Sequence, residues 1–279
     1  MGAETAIAWC DSTFNPWWGC FKISPGCDNC YAATFDKRVH GIGKGHWGPQ
    51  SEHRRFGDKH WNEPVKWNHD AEKAGKRHRV FCASMADVFE GRPEDDADRA
   101  RLFALIEATP WLDWLLLTKR PENMKRLAPA SWAKAWPVNV WAGTTCEDQQ
   151  RADERISHLL LVPASVRFLS VEPMLERISL TEIALPDEIA AAHRLRVARI
   201  NCLVTDDDEH YLNDHNKVDW VIVGAESGHG ARPFDLAWAR SIRDQCVAAG
   251  VAFFFKQIIV EGRKVEMPLL DGVRWTQWP

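Results

Sequence analysis

"LDWLLLTKRPENM", residues 112–124, is the stretch on which the fold turns. A near-continuous apolar run ends abruptly in Thr118, Lys119 and Arg120, and Pro121 follows, a residue suited to the first turn of a helix. A strand that is apolar on both faces must be covered on both, as in a parallel sheet flanked by helices. The same order of apolar run, polar cluster and helical stretch recurs along the chain. "RVFCASMADVFE" (79–90) precedes "EDDADRARLFALIEATP", where Leu102, Phe103, Leu105, Ile106 and Ala108 make one apolar helical face. "VNVWAGTTCEDQQ" (138–150) leads into the amphipathic "RADERISHLLLVP", which Pro163 stops. "SVRFLSVEPML" (165–175), "VDWVIVGAESGHGARP" (218–233) and "GVAFFFKQ" (250–257) continue the series, and "TAIAWC" (5–10) offers one more short strand at the start.

Six or seven such units predict an α/β fold: a partial (β/α), TIM-like barrel of six or seven parallel strands, with a doubly wound sheet as the alternative. The chain reads as a single domain over 1–279, with insertions at about 43–78 and 181–217. In both architectures ligands bind at the carboxyl ends of the strands. Those ends carry Ser84 and Asp87; Thr118, Lys119 and Arg120; Thr144, Thr145 and Glu147; Ser170 and Glu172; Glu226 and Ser227; Lys256 and Gln257. Thr145 and Asp87 read more simply as loop starts or helix caps. Six strands ending in polar residues predict a polar cavity roofed by loops.

The loop after the first strand, "WWGCFKISPGCDNCYA" (17–32), holds Cys20, Cys27 and Cys30, spaced C-x6-C-x-x-C. Three thiolates suit an iron–sulfur cluster with one iron left open, and this is the preferred reading. A zinc half-site completed by Cys10, His40 or a histidine from 46 to 69 is the alternative. Buried, inert thiols are a third reading, against which Pro25 and Gly26 turn the loop tightly. Cys82 lies within an apolar run and reads as core; Cys146, at a strand end, reads as a packed thiol.

Bulk properties exclude several classes. No apolar run approaches the roughly 20 residues that span a bilayer, no secretory signal is readable at the N-terminus, and Gly2 in "MGAETA" does not read as a myristoylation site. A cytoplasmic protein is expected, with its eight cysteines as thiols or metal ligands. A net charge of −4 argues against coating nucleic acid by bulk electrostatics. Charge is uneven, however: residues 37–79 hold eleven Lys/Arg against five Asp/Glu with six histidines, and "TDDDEH" (205–210) is acidic. The basic segment allows a local nucleic-acid face or a merely solvated surface.

The motifs "NPWWGCFKISPGCDNCYA", "SMADVF", "LLLTKRPENM", "WAGTTCEDQ", "RFLSVEPML", "DWVIVGAESGHGARP" and "FFFKQ" together resemble the phage Gp37/Gp68-like family of three-Cys-motif proteins, over nearly the whole chain. That family resembles the radical S-adenosylmethionine enzymes and, distantly, spore photoproduct lyase. The resemblance implies a 4Fe–4S cluster on Cys20, Cys27 and Cys30, S-adenosylmethionine as co-substrate, a reductant for the cluster, and a nucleic-acid base or nucleotide as substrate. The alternative is a zinc-stabilised nucleic-acid- or partner-binding protein without catalysis. A metal-dependent hydrolase is disfavoured, because no His/Asp ligand set falls on the strand ends.

The sequence departs from the common pattern of radical S-adenosylmethionine enzymes in three places. The first two cysteines are more widely spaced, and no Gly-Gly-Glu stretch follows the second strand. Asn29 also stands where an aromatic residue against the adenine is expected, with Tyr31 following the last cysteine instead. For the cofactor carboxylate the candidates are Lys119 and Arg120, and for its amino group or ribose Ser170 and Glu172. Glu172, Glu226 and Lys256 are the candidate catalytic groups, with Arg232 and Lys256 suited to an anionic substrate group.

Overall fold

The apolar runs become the strands of one sheet. In the computed structural model the described residues are 5, 7–41, 45–193, 198–205, 217–228 and 230–279. Strands β1 (Ser12–Thr13), β2 (His78–Cys82), β3 (Leu112–Thr118), β4 (Val140–Thr145), β5 (Val166–Val171), β6 (Trp220–Gly224) and β7 (Ala252–Val260) lie side by side in chain order and pair in parallel. An eighth strand, β8 (Arg263–Glu266), turns back antiparallel on β7. A doubly wound sheet reverses its strand order at a switch point; this one never does. The result is a curled, mostly parallel half-barrel with β1 and β8 as its open edges.

Alternate residues along a strand face opposite sides, and here both sides are filled. One side carries Val80, Cys82, Trp114, Leu116, Ala142, Leu169, Val171, Val221, Val223, Phe253 and Phe255, packed with the helices in the larger core. The other, concave side carries Phe81, Leu115, Phe168, Trp220, Ile222 and Phe254, packed with Trp9 and Cys10. Phe168 fits only because residue 143 on the neighbouring strand lacks a side chain: a Cβ there would lie 2.3 Å from its ring.

The covering helices follow their sequence signals. Asp96–Glu107 buries Leu102, Phe103 and Ile106 and half-buries Leu105, while Ala108, expected on the same face, is exposed at the C-cap. Gln149–Leu160 is capped by Asp148, whose side chain accepts the Arg151 N–H, and buries Ala152, Ile156, Leu159 and Leu160. Leu236–Ala249 is capped by Asp235 and ends at Gly250, which takes the left-handed conformation. After β3 only short turns form, Pro121–Asn123 and Met124–Leu127.

Two expectations are corrected. "TAIAWC" does not supply the first strand; Ser12 and Thr13 pair with Val80 and Phe81 instead. The preceding residues plug the concave face, where Trp9 packs on Phe81, Phe168 and Trp220, and so large an apolar surface gains more from that burial than from an edge ladder. The basic segment is also less free than its composition suggests. Arg55 pairs with Asp95 and Asp98, Arg77 with Asp113, Arg79 with Asp11, and His53 with Asp95. Within that segment Arg54–Arg55 pairs with Trp17–Trp18, and helix Glu63–Ala74 buries Pro64, Trp67 and Ala71. Gly2 and most of the acidic stretch, 206–210, lie outside the described residues, as does much of the second insertion. Among the described residues no helix is long and apolar enough to cross a membrane.

Candidate active site

Period two carries the concave face from apolar to polar. Phe168 is followed on the same side by Ser170 and then Glu172, Phe254 by Lys256, and Leu115 and Leu117 by Lys119. These ends open into a cavity of about 740 Å³. Cys20, Cys27 and Cys30 line it together with Tyr31, Lys119, Arg120, Ser170, Glu172, Glu226 and Lys256, whereas Thr144, Glu147 and Arg232, also singled out from the sequence, do not line it.

The cysteine loop is built by local turns and held by distant charges. Pro25–Cys27 form a single 3-10 turn, and Cys30 starts the helix Tyr31–His40 (α1). Arg120 donates to the Phe21 carbonyl at 3.0 Å, lies 3.8 Å from Cys20 Sγ and stacks over the Phe21 ring. Its own charge is met by buried Asp87 at 2.8 Å, which also accepts from Thr118 Oγ1 and the Lys119 N–H. On the other side Gly26 N–H donates to Glu147 Oε1 at 3.2 Å, and the Glu147 carboxylate is paired with Arg155 at 2.8 Å. A Cβ at residue 26 would sit 2.9 Å from Glu147 Cδ, which explains the glycine. Arg232 donates to the Pro25 carbonyl at 3.0 Å and pairs with Glu226 and Asp28.

Asn29 has a role that the resemblance did not suggest: its amide donates to Glu226 Oε2 at 2.9 Å and to the Gly230 carbonyl, tying the cysteine loop to the turn after β6. Arg120 and Glu226 therefore hold the loop as well as lining the cavity: Arg120 Nη1 and Nη2 donate to Asp87 and the Phe21 carbonyl, and Glu226 accepts from Arg232 and Asn29. Lys119 is half-buried and has no ion pair among the described residues. Glu172 and Lys256 face each other, Nζ to Oε1 2.5 Å, and both are partly open to the cavity. Tyr31 is 48% exposed, its hydroxyl donating to the Ser84 carbonyl at 2.6 Å so that the ring is fixed as a wall. Ser170 is buried between Thr145 and Ile222. Cys82 and Cys146 are fully buried, and burial pushes both thiols up.

Electrostatics follow the same division. Burial pushes the Cys20 thiol well up, reinforced by Asp87 and opposed by the Arg120 guanidinium. Behind it Glu90 is buried, with His53 Nε2 and Arg92 Nη1 each 3.7 Å from Oε1, and desolvation raises its carboxyl against the opposing Arg120 and His53 charges. Burial, the largest single influence, would raise Glu147, but the Arg155 and Lys119 charges and a hydrogen bond from Ser24 together hold the group below the usual range. At Glu226 burial is likewise outweighed, by hydrogen bonds from Arg232 and Asn29.

Among the described residues Asp36, His40 and His46 form a group whose ligand atoms all lie within 4.8 Å of one another, and Cys20, Cys27 and Cys30 do not. Three thiols at one cavity wall are the donor set of an iron–sulfur cluster or, with a fourth ligand, of zinc.

Sequence reasoning missed Asp87, Glu147, Arg155 and Asn29 as holders of the loop. Gly26 and Glu147 are 121 residues apart, and nothing local pairs them. A family model described as "Protein of unknown function (DUF5131)" matches residues 4–279. No curated protein and no solved structure matches the chain.

Proposed function

The chain belongs to the DUF5131 family, and for this member we propose a radical S-adenosylmethionine-type iron–sulfur enzyme acting on a nucleic-acid base or nucleotide. The observation that carries the reading is the meeting of Cys20, Cys27 and Cys30 with the polar ends of a half-barrel around one cavity. Its volume, about 740 Å³, lies within the range of cofactor-binding pockets. A cluster bound by the three cysteines would supply one electron, drawn from a reductant, to cleave the sulfonium of S-adenosylmethionine.

The chain's own residues supply binding and orientation. Every carboxylate lining the cavity is already paired: Asp28 with Lys22, Asp87 with Arg120, Glu172 with Lys256 and Glu226 with Arg232. Lys37 and Lys119 line it without an ion pair among the described residues, so the cavity favours an anionic guest. Lys119 receives the cofactor carboxylate, in place of Arg120. Glu172 keeps a second carboxylate oxygen for an amino or ribose group, while Lys256 orients it and faces the substrate. The Tyr31 ring offers the flat apolar surface that an adenine needs. Arg120, Glu147, Asn29 and Arg232 hold the cysteine loop still, so that a ligand completing the cluster meets a fixed geometry.

The test is anaerobic purification with measurement of iron, sulfide and zinc, then reduction in the presence of S-adenosylmethionine. Iron and sulfide in the protein, with release of 5′-deoxyadenosine, are expected. Colourless protein whose three cysteines hold zinc would overturn the reading, and an intact cluster that never cleaves the cofactor would leave an iron–sulfur protein of another kind.

A further inference from the structure

The geometry points to a second metal centre, formed by Asp36, His40 and His46, that takes one divalent ion of the zinc class and braces the cysteine loop from outside the cavity. None of the three residues lines that cavity, and the inference is independent of what the cysteines hold. Asp36 and His40 stand four apart in the last turns of α1, on one face of the helix. His46 approaches that face from the following segment. Its Nδ1 is 2.8 Å from Asp36 Oδ1, and His40 Nε2 is 3.8 Å from the same oxygen. All three ligand atoms lie within 4.8 Å of one another. Metal bonds of about 2.0–2.1 Å to nitrogen and oxygen place tetrahedral donors roughly 3.3 Å apart, between the two distances observed.

A simple Asp–His pair accounts for only part of this. Asp36 is fully buried, and a buried carboxylate needs partners. His46 supplies two, its backbone N–H at 2.7 Å and its ring nitrogen. His40 is too distant to be a third hydrogen-bond donor, yet its ring nitrogen converges on the same oxygen, as a ligand sharing an ion would. The approach is also built to be close: a Cβ on residue 45 would lie 2.5 Å from Asp36 Oδ2, and glycine stands there. Arg54 Nη1 is 3.5 Å from His40 Nε2, but its guanidinium rests over the rings of Trp18 and Phe56, so His40 is not needed to place it. Two imidazoles and one carboxylate suit zinc with a water in the fourth position.

The location gives the ion its task. α1 begins directly after Cys30, so Asp36 and His40 ride on the element that leaves the cysteine loop. His46 precedes Trp47, which bridges Cys20, and Gly48 N–H donates to the Cys20 carbonyl at 3.0 Å. One ion at this point would fasten both ends of the loop to each other.

The test uses the full chain with Cys20→Ser, Cys27→Ser and Cys30→Ser together, stripped by chelator and equilibrated with zinc. One zinc per chain is expected, lost when His46→Ala is added. Gly45→Ala should weaken binding by about 10–100-fold, through displacement of Asp36. A triple variant that circular dichroism shows to be folded and that binds no zinc would overturn the proposal, as would undiminished binding in His46→Ala. If the triple variant does not fold, zinc-edge X-ray absorption on the natural chain gives the answer. A nitrogen and oxygen shell that disappears in His46→Ala supports the site, and a sulfur-only shell identical in both proteins overturns it.

Discussion

The floor and the mouth of the concave face are made by the same strands, yet they solve different problems. On the floor Phe81, Leu115, Phe168, Trp220 and Phe254 pack against one another and against Trp9, and Trp278 packs tilted on Trp220 and edge-on to Phe254. At the mouth, two or four residues further on, the same side of the strands presents Lys119, Ser170, Glu172 and Lys256. The floor is specified by volume, and any change of size is felt directly. The mouth is specified by charge pairing, which joins residues far apart in sequence and leaves only selected groups free. Substitutions at the two levels should therefore separate folding from cofactor chemistry.

The largest separation is expected from Cys30→Ala, which should abolish cluster content and 5′-deoxyadenosine formation while the floor keeps the chain folded; iron, sulfide and circular dichroism read it. Iron content equal to that of the natural chain would break the assignment of the mouth. Arg120→Ala removes the partner of buried Asp87 and the donor to the Phe21 carbonyl. Leaving a buried charge unpaired costs about 3–5 kcal/mol, and here the loss should appear both in denaturant unfolding and in cluster retention. Gly143→Ala acts on the floor alone: its methyl would meet Phe168, and overpacking costs about 1–3 kcal/mol. Its melting temperature should fall while the iron bound per folded chain stays unchanged. Lys119→Gln should do the reverse, weakening S-adenosylmethionine binding in equilibrium titration with little change in melting temperature.

The smallest effect is on pH dependence. The Glu147 and Glu226 carboxyls are held below their ordinary range in the folded state, so each binds its proton less readily than in the unfolded chain. Their contribution is present above the unfolded value, about 4.3 for a glutamate, and is lost as pH falls through the lower folded value. Melting temperature should therefore drop on acidification below that point. Glu147→Gln should lower stability at neutral pH and flatten the acid limb; an acid limb of unchanged slope would remove Glu147 from the account.

Much of this was legible along the chain. "LDWLLLTKRPENM" and its counterparts reveal strand and polar end because a strand buried on both faces must be apolar throughout, and the change to Lys or Glu marks where the burial stops; the helix expected after Pro121 shrinks to two short turns. The three cysteines and the strand ends could be placed at one mouth by topology alone. The first strand could not, because "TAIAWC" is as apolar as a strand and only the packing of Ile7, Ala8, Trp9 and Cys10 shows that these residues fill the concavity.

The sequence by itself determined the repeating unit, the polar strand ends and the three-cysteine loop, since each is a local pattern of side chains on adjacent residues. The tertiary structure decided which charges are spent and which are free. Arg120, Glu226 and Lys119 look alike as polar strand-end residues, but Asp87 and the Phe21 carbonyl occupy the first, Arg232 and Asn29 occupy the second, and the third has no ion pair among the described residues. Coulombic pairing depends on distance in space, and a linear pattern carries no measure of that distance.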